Sequence, residues 1–199
     1  VSTKVKRLNL RCGYDAPVTS PPGRRERKKA ATRAAIADAA LALFLERGFD
    51  AVTVKEVADA ADVSLTTLFN HFPSKESLVF DEEAEREARL LGAVRGRPDD
   101  VDVLTALQRF ARSAADRRAE PGYEGFVAMV GAAPSLLAYS RRMWEGYESS
   151  LAAAVADDAG LEPADPRARA LAHVVVATIG SDPPQVDAVF DLLRHGWTV

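Results

Sequence analysis

Cysteine is nearly absent from the 199 residues: Cys12 is the only one, so no disulfide can form within the chain and no cysteine cluster can hold zinc. Histidine is scarce as well. His71, His173 and His195 lie far apart, with no Cys or carboxylate at ligand spacing and no nucleophile set beside a base. The expectation is a protein that is not an enzyme, with no metal and no cofactor. No apolar run approaches the roughly 20 residues of a membrane span, and no short apolar stretch follows the basic start in the manner of a signal peptide. The expected compartment is therefore the cytoplasm, with no membrane partner. Net charge is small too, at −3, and by itself points to no class of partner.

The distribution of charge says more. Residues 1–80 carry 13 Lys or Arg against 9 Asp or Glu, whereas residues 81–199 carry 13 against 20. The positive excess concentrates in Arg24, Arg25, Arg27, Lys28, Lys29 and Arg33, opposed only by Glu26. A basic arm running into a helix suits DNA phosphates, and a solvated charged tail is the competing reading. Residues 1–23 hold Gly13, Pro17, Pro21, Pro22 and Gly23 without apolar period and read as a flexible tail. From about Arg24 to Arg47, Ile36, Ala39, Ala40, Leu43 and Phe44 mark one face of a helix that Gly48 stops.

The stretch that follows is the most informative. Thr53 and Glu56 have capping-box spacing, which starts a short helix near Val54 with Val57, Ala58 and Ala61 inward. Ser64 caps a second short helix through about Asn70, with Leu68 and Phe72 as inward anchors. Two short helices joined by about three residues, behind a longer helix with an apolar face, are what a helix-turn-helix needs to hold its second helix in a major groove. A further helix is expected from Ser74 to about Val94.

These residues carry a resemblance. Ala39-Ala40, Leu43-Phe44, Gly48-Phe49, Thr53-Val54, Val57-Ala58, Val63-Ser64, Thr67-Leu68, His71-Phe72 and Ser74-Lys75-Glu76, all between Ile36 and Leu78, are similar to the DNA-binding domain of the tetracycline-repressor (TetR) family of bacterial regulators. Three positions depart from the family pattern: Asp62 stands in the turn where glycine is usual, Leu65 follows the capping serine without a hydrogen-bonding group, and Phe69 stands where many members have tyrosine. The resemblance implies an all-α chain with an N-terminal three-helix helix-turn-helix domain at 24–80. A larger C-terminal helical domain for ligand binding and dimerisation would occupy 81–199, after the tail at 1–23. It also implies a repressor that binds a pseudo-palindromic DNA operator as a homodimer and is released by a small-molecule effector. A helical interaction module that has lost DNA binding is the alternative, because Asp62, Leu65 and Phe69 weaken the usual contacts.

Contact roles follow from side-chain chemistry. Leu65 and Thr66, at the start of the recognition helix, suit base edges, an apolar group meeting a thymine methyl. Arg27, Lys28, Thr53, Ser64, Thr67, Phe69, Asn70, His71 and Lys75 complete the candidate DNA surface, most of them as phosphate partners, with capping or plain exposure as the competing roles. Phe110, Tyr123, Phe126, Met129, Met143, Trp144, Tyr147 and His173 are the candidates for an effector pocket, against the reading that they fill the core. Residues 143–160 also resemble the C-terminal domain of TetR-type proteins thought to bind acyl-coenzyme A-like molecules. Ile179, Phe190, Leu193 and Trp197 are the candidate dimer anchors. The penultimate helix looks short for the family, which leaves open that residues are missing near Gly180-Ser181.

Overall fold

The structure, a computed structural model, describes residues 23–116 and 120–196. Cys12 and Trp197 lie outside the described residues. Nine α-helices are present among those described: α1 (Arg24–Arg47), α2 (Val54–Ala60), α3 (Leu65–His71), α4 (Glu83–Arg95), α5 (Val103–Asp116), α6 (Tyr123–Ala132), α7 (Pro134–Asp158), α8 (Pro166–Thr178) and α9 (Pro183–His195). A 3₁₀ turn, Glu76–Leu78, lies between α3 and α4. No helix of the described residues is long and apolar enough to cross a membrane.

The described chain divides into two compact units. The first holds 23–82 and 122–139, hence α1 to α3, the 3₁₀ turn, α6 and the opening residues of α7; the second holds the remainder. Helix α6 joins the first unit because it packs against α1, with Gly125 beside Leu45.

Local chemistry starts and stops the helices of the first unit. Gly48, at φ 85°, ends α1 while its N–H donates to Phe44 O at 2.9 Å. Thr53 Oγ1 accepts the Glu56 N–H at 3.2 Å, and Glu56 Oε2 accepts the Thr53 N–H at 2.8 Å, closing the capping box of α2. Ser64 Oγ accepts the Thr67 N–H at 3.0 Å and caps α3. Between them the Val63 N–H reaches back to Ala58 O at 3.0 Å, a turn that places Asp62 at φ 53°. The left-handed region costs any residue with a Cβ, Asp less than most. Asp62→Gly is therefore expected to stabilise the domain by about 0.5–1 kcal/mol, read as a higher thermal midpoint by circular dichroism. An unchanged or lower midpoint would show that the aspartate side chain contributes more than its backbone strain removes.

The helix expected from Ser74 does not form as one piece. Ser74 Oγ accepts the Ser77 N–H at 3.2 Å and Ser77 Oγ donates to Ser74 O at 2.7 Å, which tightens the chain into the 3₁₀ turn. Ser77, Leu78, Val79 and Phe80 are all buried, and four consecutive side chains cannot face one core from an α-helix. The chain turns through 79–82 before α4 begins. Phe80 stacks on Tyr139 at 5.3 Å between centroids and meets Phe126 edge-on at 6.2 Å.

In the second unit, α5 packs against α4, α8 and α9. Leu90, Val94, Leu107, Ala111, Leu151, Val175, Val186 and Phe190 are buried there. Arg97 fastens the ends of two helices, donating twice to Asp158 at 2.5 and 2.8 Å and also to Val94 O and Val101 O. Helices α8 and α9 each begin with an Asp cap followed by Pro, the residue best tolerated in a first turn. The run Val174-Val175-Val176 is helical despite its β-branching, because Val175 is fully buried and packing outweighs a weak propensity. The short α8 ends through its own hydrogen bonds, Ile179 N–H to Val176 O at 3.1 Å and Ser181 N–H to Thr178 O at 3.0 Å.

Candidate nucleic-acid interface

Helix α3 is seated by two side chains and displays four. Leu68 and Phe72 are 0% exposed, whereas Leu65 and Phe69 are 41% and 49% exposed and Thr66 and Asn70 are exposed beside them. The spacing explains the split: Leu68 and Phe72 lie four apart on the inward face, Leu65 and Phe69 four apart on the outward one. Arg24, Arg25, Arg27, Lys28 and Lys29 are exposed in the first turns of α1. The first unit thus carries a solvent-facing recognition helix and a cationic arm.

Several candidates for phosphate contact have other employment. Lys75 donates to Phe49 O at 2.6 Å and sits 4.2 Å above the Phe49 ring. Burial pushes its ammonium below the usual lysine range, partly offset by Asp50, Glu76 and Glu56. It holds the loop after α1 in place. His71 is half-buried, and its Nδ1 is buried without a hydrogen-bond partner. Burial, then Lys29 and Arg33, hold its imidazole below the usual histidine range. The Thr53 hydroxyl donates to Glu56 Oε2 at 2.7 Å, and the Ser64 and Thr67 hydroxyls are 2.9 Å apart, so Thr53 and Ser64 are first of all caps and Thr67 is the partner of the second.

Arg33, counted with the basic arm on sequence, belongs to the interior. Its guanidinium donates to His71 O at 2.5 Å and Asp81 O at 2.7 Å and lies 4.2 Å from the centre of the Phe72 ring. One side chain thereby ties α1 to the end of α3 and to the segment after it. A signal was available, because Arg33 precedes Ile36, Ala37, Ala40 and Phe44 on the same buried stripe.

Glu56 is tied down from three sides, by the Thr53 N–H, the Thr53 hydroxyl and Arg47 at 2.8 Å. These partners, the Thr53 backbone first, hold its carboxyl down at about 2. The folded value lies below the unfolded one, so the contribution is present above about pH 4.5 and is lost as pH falls toward 2. NMR titration of the Glu56 carboxyl should find its midpoint well below 4; a midpoint near 4.5 would mean that the box is open in solution.

The effector candidates separate. Tyr123, Phe126 and Met129 fall in the first unit; Phe110, Met143, Trp144, Tyr147 and His173 fall in the second. Tyr147 is buried, donates its hydroxyl to Glu83 O at 2.6 Å and meets Trp144 edge-on, and burial pushes its phenol up. Met143 is buried. His173 is exposed and paired with Glu148 at 2.9 Å. Among the dimer candidates, Phe190 is 0% exposed inside its own protomer and offers nothing to a second copy, while Ile179 and Leu193 are half-buried.

The model for bacterial regulatory proteins of the tetR family matches residues 36–81, the segment from the buried stripe of α1 to the turn before α4. The chain is 32% identical over 149 residues to the HTH-type transcriptional regulator TcmR of Streptomyces glaucescens, covering 71% of this chain and 66% of that one. It is 44% identical over 62 residues to the HTH-type transcriptional repressor KstR2 of Rhodococcus jostii (strain RHA1), covering 31% and 30%. The chain thus spans about two thirds of TcmR and under a third of KstR2. Among solved structures, Salmonella enterica GusR superposes with a TM-score of 0.52 at 26% identity, over 83% of this chain and 88% of that one. NalD of Pseudomonas aeruginosa shares the fold with a TM-score of 0.54 at 19% identity, over 84% and 97%. The recognition helix, its caps and the helices that seat it are those of one lineage, and the chain belongs to the tetR family of bacterial regulatory proteins.

Proposed function

We propose that this protein is a ligand-responsive transcriptional repressor that binds a pseudo-palindromic DNA operator as a homodimer and leaves it when a small molecule binds. One observation carries the reading: α3 is anchored by Leu68 and Phe72 yet turns Leu65, Thr66, Phe69 and Asn70 to solvent along its outward side, as a helix that enters a major groove must. One seven-residue helix reaches too few base pairs for a specific site, and a two-fold dimer doubles them. Ile179, Leu193 and the exposed Leu192 would meet the second copy, Phe190 being committed to the core. The effector is released or retained by linkage: it weakens operator binding by the same factor as the operator weakens its own. The resemblance of residues 143–160 favours an acyl-coenzyme A-like effector. Arg86 of α4, whose Nε is buried without a hydrogen-bond partner, is a cation suited to such an anion.

Selection of bound duplexes from a random pool tests the reading, followed by titration of the selected duplex with salt. Two half-sites about 34 Å apart, or a multiple, are expected, with affinity falling steeply as salt rises. Arg27→Ala and Lys28→Ala should each make the slope of log affinity against log salt shallower by about 0.9. A chain that retains no duplex even at low salt is the interaction module instead.

A further inference from the structure

Five large apolar side chains are exposed among the described residues, and two of them, Leu65 and Phe69, share the outward face of the seven-residue helix α3. Isolated exposed apolar residues are ordinary, and a Leu–Phe pair at this spacing adds little to a helix. Here the pair occupies the surface that would enter a groove, and neither side chain has a donor or acceptor with which to read a base edge. The only apolar group that a base pair presents in the major groove is the C5 methyl of thymine. Four residues of helix advance about 6 Å, close to two base-pair steps of about 3.4 Å each.

We propose that Leu65 and Phe69 form a two-point methyl reader, so that each operator half-site carries two thymines, one or two steps apart, whose methyl groups seat against these side chains. The inference rests on the operator-binding reading and adds the class of sequence that is bound. Thr66 and Asn70, exposed beside the pair, supply the polar contacts to neighbouring bases. Phe69 acts through its ring on a base and not on the backbone, since it has no hydroxyl for a phosphate.

Uracil substitution isolates the methyl group, because it deletes that group and leaves base pairing intact. In the selected operator, thymines are replaced by uracil one at a time and affinity is measured with the full-length protein. Two positions per half-site are expected to weaken binding, by about fourfold each for the loss of one buried methyl. Leu65→Ala should abolish the effect at one position and Phe69→Ala at the other, with melting temperatures confirming that both variants are folded. An operator that tolerates uracil at every position overturns the methyl reader while leaving the regulator reading standing. Uracil effects that persist unchanged in both variants also overturn it, by assigning the methyls to other side chains. Failure to select any duplex overturns the regulator reading itself.

Discussion

Phe72→Ala is expected to destabilise the first unit by about 3–5 kcal/mol. The ring is fully buried at the C-terminal end of α3, so truncation leaves a cavity under the recognition helix and removes the partner of the Arg33 guanidinium 4.2 Å away. Urea unfolding followed by circular dichroism measures the cost, and operator affinity should drop with it, because α3 loses one of its two anchors. A cost under about 1 kcal/mol would place Phe72 outside a packed core.

Arg33 carries the second large effect. Its two donated hydrogen bonds satisfy the carbonyls of His71 and Asp81, and removing the donor leaves both without it at a part-buried site. Arg33→Ala should cost about 2–3 kcal/mol. Arg33→Lys should recover less than half, because an ammonium can neither span two carbonyls in one plane nor lie flat on a ring. The salt dependence of operator binding should stay unchanged in either variant, which separates this arginine from Arg27 and Lys28. Combining Arg33→Ala with Phe72→Ala gives the interaction energy directly. The two residues touch, so the double variant should fall short of the sum of the singles by about 1 kcal/mol.

Local features were legible in the sequence for a physical reason. Caps at Thr53 and Ser64 and the stop at Gly48 depend on atoms within four residues, so type and spacing suffice to place them. The inward anchors Leu68 and Phe72 followed from helical period. What escaped depended on distant chain. Nothing near Lys75 announces that its ammonium will lie over Phe49, 26 residues earlier, so a surface cation and a structural one look alike in one dimension. The continuous helix expected from Ser74 overlooked the run Ser77 to Phe80, whose unbroken burial demanded a turn. The membership of α6 in the first unit was hidden for the same reason, since a short apolar helix does not declare which neighbour it covers.

Helix α1 is 24 residues long, yet none of residues 23–31 is buried; its packed stripe begins only with Arg33 and Ile36. The opening turns are therefore held by local bonds, among them those from the Gly23 N–H to Glu26 Oε2 and from the Thr32 hydroxyl to Lys28 O, and not by a packed core. Such an overhang opens at little free-energy cost, so its amides exchange with solvent far faster than those around Phe44. A protease that cleaves after arginine or lysine should cut there sooner than in the packed half of the same helix. Bound polyanion would hold the same turns closed, making the arm a segment whose order is completed by what it binds.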